Sequence, residues 1–165
     1  MAQKIILNKE QIGFKTKRIA YQIYETFSEE EEIVIAGVAN SGFIFAQKIA
    51  KVVEEIATIK VKLCEVQIDK ANPINPIRTS LTPEEYTGKS IILVDDVLNS
   101  GATLIYGVKH FLNVPIKKMK TAVLIDRNHK TYPIKADYKG LSLSTSLLEH
   151  IQVVFTNEDE YAYLS

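Results

Sequence analysis

Residues 91–103 read Ile-Ile-Leu-Val-Asp-Asp-Val-Leu-Asn-Ser-Gly-Ala-Thr, and few folds can place that series. Ile91 to Val94 are apolar on both faces and mostly β-branched, the pattern of a buried parallel strand. The strand is expected to stop there, leaving Asp95 and Asp96 at its carboxyl end, where open α/β sheets form their ligand crevices. Ser100-Gly101-Ala102-Thr103 then predicts a tight turn opening a helix, whose free N–H groups and dipole favour a phosphate. Ser100 or Thr103 as a plain helix cap would account for the hydroxyls. It does not account for two adjacent carboxylates, since like charges side by side raise each other's pKa. Vicinal hydroxyls or a metal-bound ligand are what such a pair suits.

The rest of the chain alternates between apolar and polar stretches in the rhythm of an α/β fold. A helix is predicted over 9–27, with Ile12, Ile19, Ile23 and Phe27 near helical spacing, and a solvated acidic connection over Glu29 to Glu32. A buried strand follows at 33–39, a helix at 42–56 and an alternating strand at 59–68. Three prolines among residues 69–86 point to an irregular segment, and 70–87 is the expected mobile flap. After the 91–94 strand come a helix from 102 to about 112 and a strand at 119–126. Beyond Arg127 short strands and turns are expected, ending with 151–155 and 161–164. Strand–helix repetition implies an open, mostly parallel twisted sheet flanked by helices, joined by right-handed crossovers. At 165 residues one domain, 1–165, is expected.

Val-Asp-Asp-Val-Leu-Asn-Ser-Gly-Ala-Thr, preceded by Gly88-Lys89, resembles the phosphoribosyl-pyrophosphate motif of type I phosphoribosyltransferases. Ala122 to Gly140, Ser144-Thr145-Ser146, Arg18 to Glu25 and Ile35 to Val38 resemble one branch in particular. That branch comprises the bifunctional pyrimidine-operon attenuators with uracil phosphoribosyltransferase activity. The likeness spans nearly the whole chain and is weakest over 70–87.

The resemblance implies a small hood built from the terminal segments, Mg²⁺ as cofactor, and phosphoribosyl pyrophosphate with a pyrimidine base as substrates. Asp95 and Asp96 become the candidate catalytic pair, accepting hydrogen bonds from ribose hydroxyls and meeting the metal mainly through substrate and water. Asn99, Ser100, Gly101, Ala102 and Thr103 would cradle the 5′-phosphate. Ala39, Asn40, Ser41 and Gly42 stand where the family has its pyrophosphate loop, but without the usual Lys or Arg. Purine-salvage members often carry aspartate at the position of Asn99, so a neutral residue there leans towards a pyrimidine. Asp126, Arg127, Lys135, Asp137 and Leu147 are candidates for the base side, and Arg78 for a flap contact to pyrophosphate. A local ion pair between Asp126 and Arg127 is the alternative for those two.

Composition narrows the setting. Twenty basic and twenty acidic side chains give zero formal net charge, so no global field draws the chain to nucleic acid or membrane. Lys15, Lys17 and Arg18, with Lys117, Lys118 and Lys120, are the basic groups available to an RNA partner. One cysteine, Cys64, makes no intrachain disulfide, and no apolar run reaches the roughly 20 residues of a spanning helix. A cytoplasmic protein is therefore expected, and the resemblance implies a homodimer or higher homo-oligomer, which the apolar first helix would suit. Two functions remain in view: a pyrimidine phosphoribosyltransferase, or a regulator that senses the same ligand with little turnover. A phosphoacceptor receiver domain would need acidic residues where Ala39-Asn40 stands.

Overall fold

A computed structural model describes residues 3–146 and 149–165. In chain order the elements are β1 (Lys4–Leu7), α1 (Lys9–Phe27), β2 (Glu32–Val38), α2 (Ser41–Ile56), β3 (Lys60–Gln67), β4 (Arg78–Thr79), α3 (Pro83–Tyr86), β5 (Ser90–Leu98), α4 (Ala102–Phe111), β6 (Lys118–Asp126), β7 (Tyr138–Ser142), β8 (Ile151–Phe155) and β9 (Glu160–Leu164). Six strands form the main sheet in the order β4-β3-β2-β5-β6-β7, and β1, β9 and β8 form a separate antiparallel sheet. Only β4 runs antiparallel within the main sheet.

Helix α1 begins at a reciprocal cap. Asn8 Oδ1 accepts from the Gln11 N–H at 2.8 Å, and Gln11 Oε1 accepts from the Asn8 N–H at 2.9 Å. Its buried residues Ile12, Thr16, Ile19, Ala20, Ile23 and Phe27 recur at helical spacing and face the sheet. The opposite stripe leaves Phe14, Tyr21 and Tyr24 exposed. Arg18 fastens α1 to β7, its Nη2 donating to the carbonyls of Lys139 and Gly140.

The core strands divide their side chains by simple alternation. Ile33, Ile35, Ile92, Val94, Ala122 and Leu124 join α1, α2 and the small sheet in one cluster. Val34, Ala36, Val38, Ile91, Leu93 and Val123 join α4 and Tyr86 in the other. Both faces are covered, which is why these strands are apolar throughout. Truncating a fully buried residue such as Ile92 to alanine is worth roughly 2–5 kcal/mol.

Strand β2 leads through α2 outward to β3, whereas β5 leads through α4 outward to β6 on the other side. The sheet therefore reverses direction between β2 and β5, and a crevice opens beyond their carboxyl ends. One expectation is corrected here. Strand β5 does not end at Val94: its pairing with β2 stops at Val94, but its pairing with β6 continues to Leu98. Asp95 and Asp96 thus lie within a strand that has lost its neighbour on one side only.

The segment after β3 is also more ordered than its prolines suggested. Asp69 Oδ1 accepts from the N–H groups of Ala71 and Asn72, and Oδ2 from Asn75 Nδ2, closing a tight turn. Strand β4 then pairs with β3, and α3 buries Tyr86 edge-on against Phe111 at 4.9 Å. The acidic connection before β2 is partly tied down as well, because Glu30 accepts from Ser90 Oγ and Lys117 Nζ. That ion pair and the Arg18 anchor engage two of the basic groups considered for RNA. Among the described residues no helix is long and apolar enough to cross a membrane.

Candidate functional site

Two adjoining clefts occupy the crevice at the sheet reversal. The first, about 220 Å³, is lined by Lys70, Asp95, Asn99, Ser100, Thr103 and Val123 among others. The second, about 260 Å³, runs from Asp96 to Ile151, Gln152 and Val153 on β8 of the hood. Lys70, Val97 and Asn99 border both. The acidic pair stands at their junction, one carboxylate towards each.

The two acids are held differently. Asp95 is buried, and its Oδ1 accepts from the Asp96 N–H at 2.8 Å and from Lys70 Nζ at 3.3 Å. Asp96 accepts from the Val97 N–H at 2.8 Å and lies 3.9 Å from the same ammonium. Burial, and then the neighbouring Asp96 charge, push the Asp95 carboxyl up to about 8, against the pull of Lys70. For Lys70, partial burial disfavours the ammonium, yet the two carboxylates outweigh it and hold its pKa above the usual lysine value. Helix α2 closes on this pair. A Cβ on Gly42 would stand 2.9 Å from Asp95 Oδ1, so only glycine lets the first turn of α2 approach β5 so closely.

The turn after β5 is built around Gly101, the residue before α4, whose φ of 92° lies in the left-handed region. A Cβ there would meet Ile134 Cγ2 at 2.5 Å. Ser100 Oγ accepts from the Ala102 N–H, and the Ser100 carbonyl accepts from the N–H groups of Thr131 and Tyr132. A loop after β6 thereby buttresses the turn, while the next first-turn N–H groups of α4, those of Thr103 and Leu104, are left for a ligand. Gly101→Ala is expected to cost roughly 2 kcal/mol through backbone strain and the clash with Ile134. A thermal midpoint within a degree of the native value would refute this account of the turn.

The other sequence candidates are dispersed. Ala39, Asn40, Ser41 and Gly42 form the β2–α2 junction beside Asp95, with a cis peptide between Ala39 and Asn40. Asp126 and Arg127 do not pair with each other. Asp126 is buried, with Lys130 Nζ at 3.3 Å and Lys139 Nζ at 3.9 Å. Arg127 is also buried and donates to Asn99 Oδ1, Thr145 Oγ1 and the carbonyls of Ser146 and Glu149. It reaches the turn after β5 through Asn99 and otherwise holds Thr145, Ser146 and Glu149 ahead of β8.

Lys135 and Asp137 line neither cleft. The Lys135 carbonyl and the Asp137 carboxylate bind Thr121 in the first half of β6, so they fasten the approach to β7. Arg78 sits on edge strand β4 opposite Gln67, and Lys70 is the flap cation beside the acidic pair. Leu147, expected near the base, lies outside the described residues. The sequence offers Lys70 only as one of the few charged residues of a short flap, and it does not single out Ile151, Gln152 or Val153 for the site. No local pattern marks them, because the first depends on a chain reversal after β3 and the rest on where the hood docks.

The fold agrees with comparison to known proteins. The pattern of the phosphoribosyl transferase domain family matches residues 2–157. Bifunctional protein PyrR of Streptococcus thermophilus is 33% identical over 162 residues, covering 96% of this chain and 94% of that protein. The protein of the same name from Haemophilus ducreyi is 32% identical over 159 residues, covering 92% and 89%. Among solved structures, a hypoxanthine phosphoribosyltransferase of Trypanosoma cruzi superposes with a TM-score of 0.77 at 18% identity, covering 96% of this chain and 95% of that one. A hypoxanthine-guanine phosphoribosyltransferase of Bacillus anthracis gives a TM-score of 0.71 at 26% identity, covering 86% and 84%. The fold is shared with proteins named for purines, while the sequence matches proteins named PyrR.

Proposed function

The chain belongs to the phosphoribosyl transferase family, in the branch of the PyrR proteins, and on that premise we propose that it transfers the phosphoribosyl group of phosphoribosyl pyrophosphate to a pyrimidine base, uracil foremost. The observation that carries this reading is the acidic pair at the sheet reversal, with a phosphate-type turn on one side and the hood on the other. A donor laid across it would set its 5′-phosphate on Ser100 to Thr103 and its ribose hydroxyls on Asp95 and Asp96. Its pyrophosphate would point at Ala39 to Gly42. The base would enter the second cleft, against Ile151 to Val153.

In the transfer, the anomeric carbon exchanges its bond to a pyrophosphate oxygen for one to a ring nitrogen, which gives up its proton. Positive charge grows on the sugar ring as the first bond breaks. Asp96, and Asp95 once it is ionised, are fixed by backbone N–H groups and need little reorganisation to stabilise that charge. Walls of Val97, Leu98 and Leu104 limit the water that competes for the same carbon.

Magnesium fits the residues present. Asp95 and Asp96 offer only oxygen and already hold one cation, Lys70. Among the described residues no group of three His, Cys, Asp or Glu side chains gathers to enclose a metal alone. Such a pair suits an ion that takes its remaining ligands from substrate and water. When bound, magnesium would neutralise the pyrophosphate leaving group.

The first test is a turnover assay by mass spectrometry. The protein is given phosphoribosyl pyrophosphate and Mg²⁺ with uracil, orotate, hypoxanthine, guanine and adenine together. Uridine monophosphate is the product expected. Absence of nucleotide from every base would favour a second reading, a sensor of the same ligand with little turnover. The Ala39 to Gly42 junction, which carries no cationic side chain, is the observation on that side.

A further inference from the structure

The pyrophosphate end of the proposed site presents a charge problem. Pyrophosphate brings several negative charges to a place already occupied by Asp95 and Asp96, and the Ala39 to Gly42 junction offers backbone N–H groups and the neutral side chains of Asn40 and Ser41 but no cation. A site of this kind needs a positive side chain from elsewhere in the fold. Lys70 is positioned to be that side chain. Its Nζ is 3.3 Å from Asp95 Oδ1, the same oxygen that lies against Gly42 in the first turn of α2. It borders both clefts.

The attachment of Lys70 is firm at its root and free at its tip. Ile68, two residues earlier, packs into the core cluster beneath α4, and Asp69 organises the turn that follows through its hydrogen bonds to Ala71, Asn72 and Asn75. The backbone of residue 70 is thus held over the crevice. The Lys70 side chain remains 47% exposed, and its four-carbon stem can redirect the ammonium without moving the chain. The ammonium end of this pair is open to water although Asp95 is buried, so Lys70 can leave once ribose hydroxyls take its place on the carboxylate.

Resting on the phosphoribosyl transfer reading above, we propose that Lys70 is a mobile charge carrier for the site. In the empty cleft its ammonium holds the acidic pair, and when the donor binds it turns to the pyrophosphate, supplying the cationic side chain that the Ala39 to Gly42 junction lacks. Arg78, the other flap cation, stands on edge strand β4 opposite Gln67 and lines neither cleft.

Isothermal titration separates this role from a structural one. Inorganic pyrophosphate with Mg²⁺ probes the leaving-group end, ribose 5-phosphate probes the turn after β5, and magnesium alone probes the acidic pair. K70M is expected to bind magnesium pyrophosphate roughly 10- to 100-fold more weakly, the worth of one charge-assisted hydrogen bond. Its affinity for ribose 5-phosphate stays within about twofold, and K70R recovers most of the loss. Magnesium alone should bind K70M more tightly, since no ammonium competes for the carboxylates. Loss of affinity for one ligand with gain for another is not what a damaged fold produces. Equal pyrophosphate affinity in the native protein and K70M, or a parallel loss for ribose 5-phosphate, would overturn the role. Unchanged magnesium affinity would overturn its resting half. If the native protein binds neither pyrophosphate nor ribose 5-phosphate, the phosphoribosyl reading itself fails, whatever K70M does.

Discussion

Replacing Asp95 and Asp96 together with asparagine is expected to abolish phosphoribosyl transfer while making the protein more stable. Fixed electrostatic groups at a developing charge are each worth about 10²–10³ in rate, so a loss of roughly 10⁴ or more follows from removing two. Stability moves the other way because the pair is a cost to the fold. Asp95 is buried beside a like charge, and its carboxyl is pushed up to about 8 from the ordinary 3.8. Between those values the native state binds more protons than the unfolded chain. Stability therefore falls as pH rises through that window, with Asp96 deepening the loss and Lys70 opposing it. The variant lacks this titration. Its advantage in denaturant midpoint should grow from pH 5 to pH 8, reaching roughly 1–3 kcal/mol, less than the shifted pKa alone implies because Lys70 loses its partners. Native turnover by the double variant, or a stability difference that does not widen with pH, would remove the assigned role.

Arg127→Met should be among the most damaging single changes outside the acidic pair. Arg127 is only 8% exposed, and its guanidinium donates four hydrogen bonds: to Asn99 Oδ1 at 3.2 Å, Thr145 Oγ1 at 2.9 Å, and the carbonyls of Ser146 and Glu149 at 3.0 and 2.8 Å. Methionine fills much of the volume and satisfies none of these acceptors. Leaving them unpaired in a closed environment costs roughly 3 kcal/mol. Arg127 ties Asn99 on the phosphate turn to the segment that leads into the hood, so two consequences are separable. Thermal denaturation should show the lost stability. Affinity for ribose 5-phosphate should fall even at temperatures where the variant is fully folded, because the turn loses its brace. A variant as stable as the native protein would show that these contacts are incidental; one that is unstable but binds normally would confine Arg127 to the fold.

Some of this molecule is written locally. Helix α1 spans the predicted residues 9–27, because its apolar period and the Asn8–Gln11 cap are neighbours in sequence. Parallel strands buried on both faces had to be apolar throughout, which made β2, β5 and β6 readable within a residue or two at their starts. The run from Asp95 to Thr103 was legible as a site because its parts are contiguous: an acidic pair, a left-handed glycine and a helix start.

What a sequence hides are the contacts whose two halves lie far apart along it. That β5 outlasts its pairing with β2 by four residues follows from where β2 turns into α2, fifty residues earlier in the chain. Lys70 is an ordinary polar residue in a proline-rich stretch until the turn at Asp69 sets it over the crevice. The sequence puts Arg127 on the base side, with a local ion pair to Asp126 as the alternative, yet its hydrogen bonds go to residues 18–28 positions away. The sequence by itself determined the two-faced apolar sheet, the acidic pair and the phosphate-type turn, since these rest on short-range periodicity and backbone chemistry. Only the tertiary structure decided which cation meets that pair and which hood strand walls the second cleft, because long-range packing brings those groups together and leaves no mark on the residues beside them.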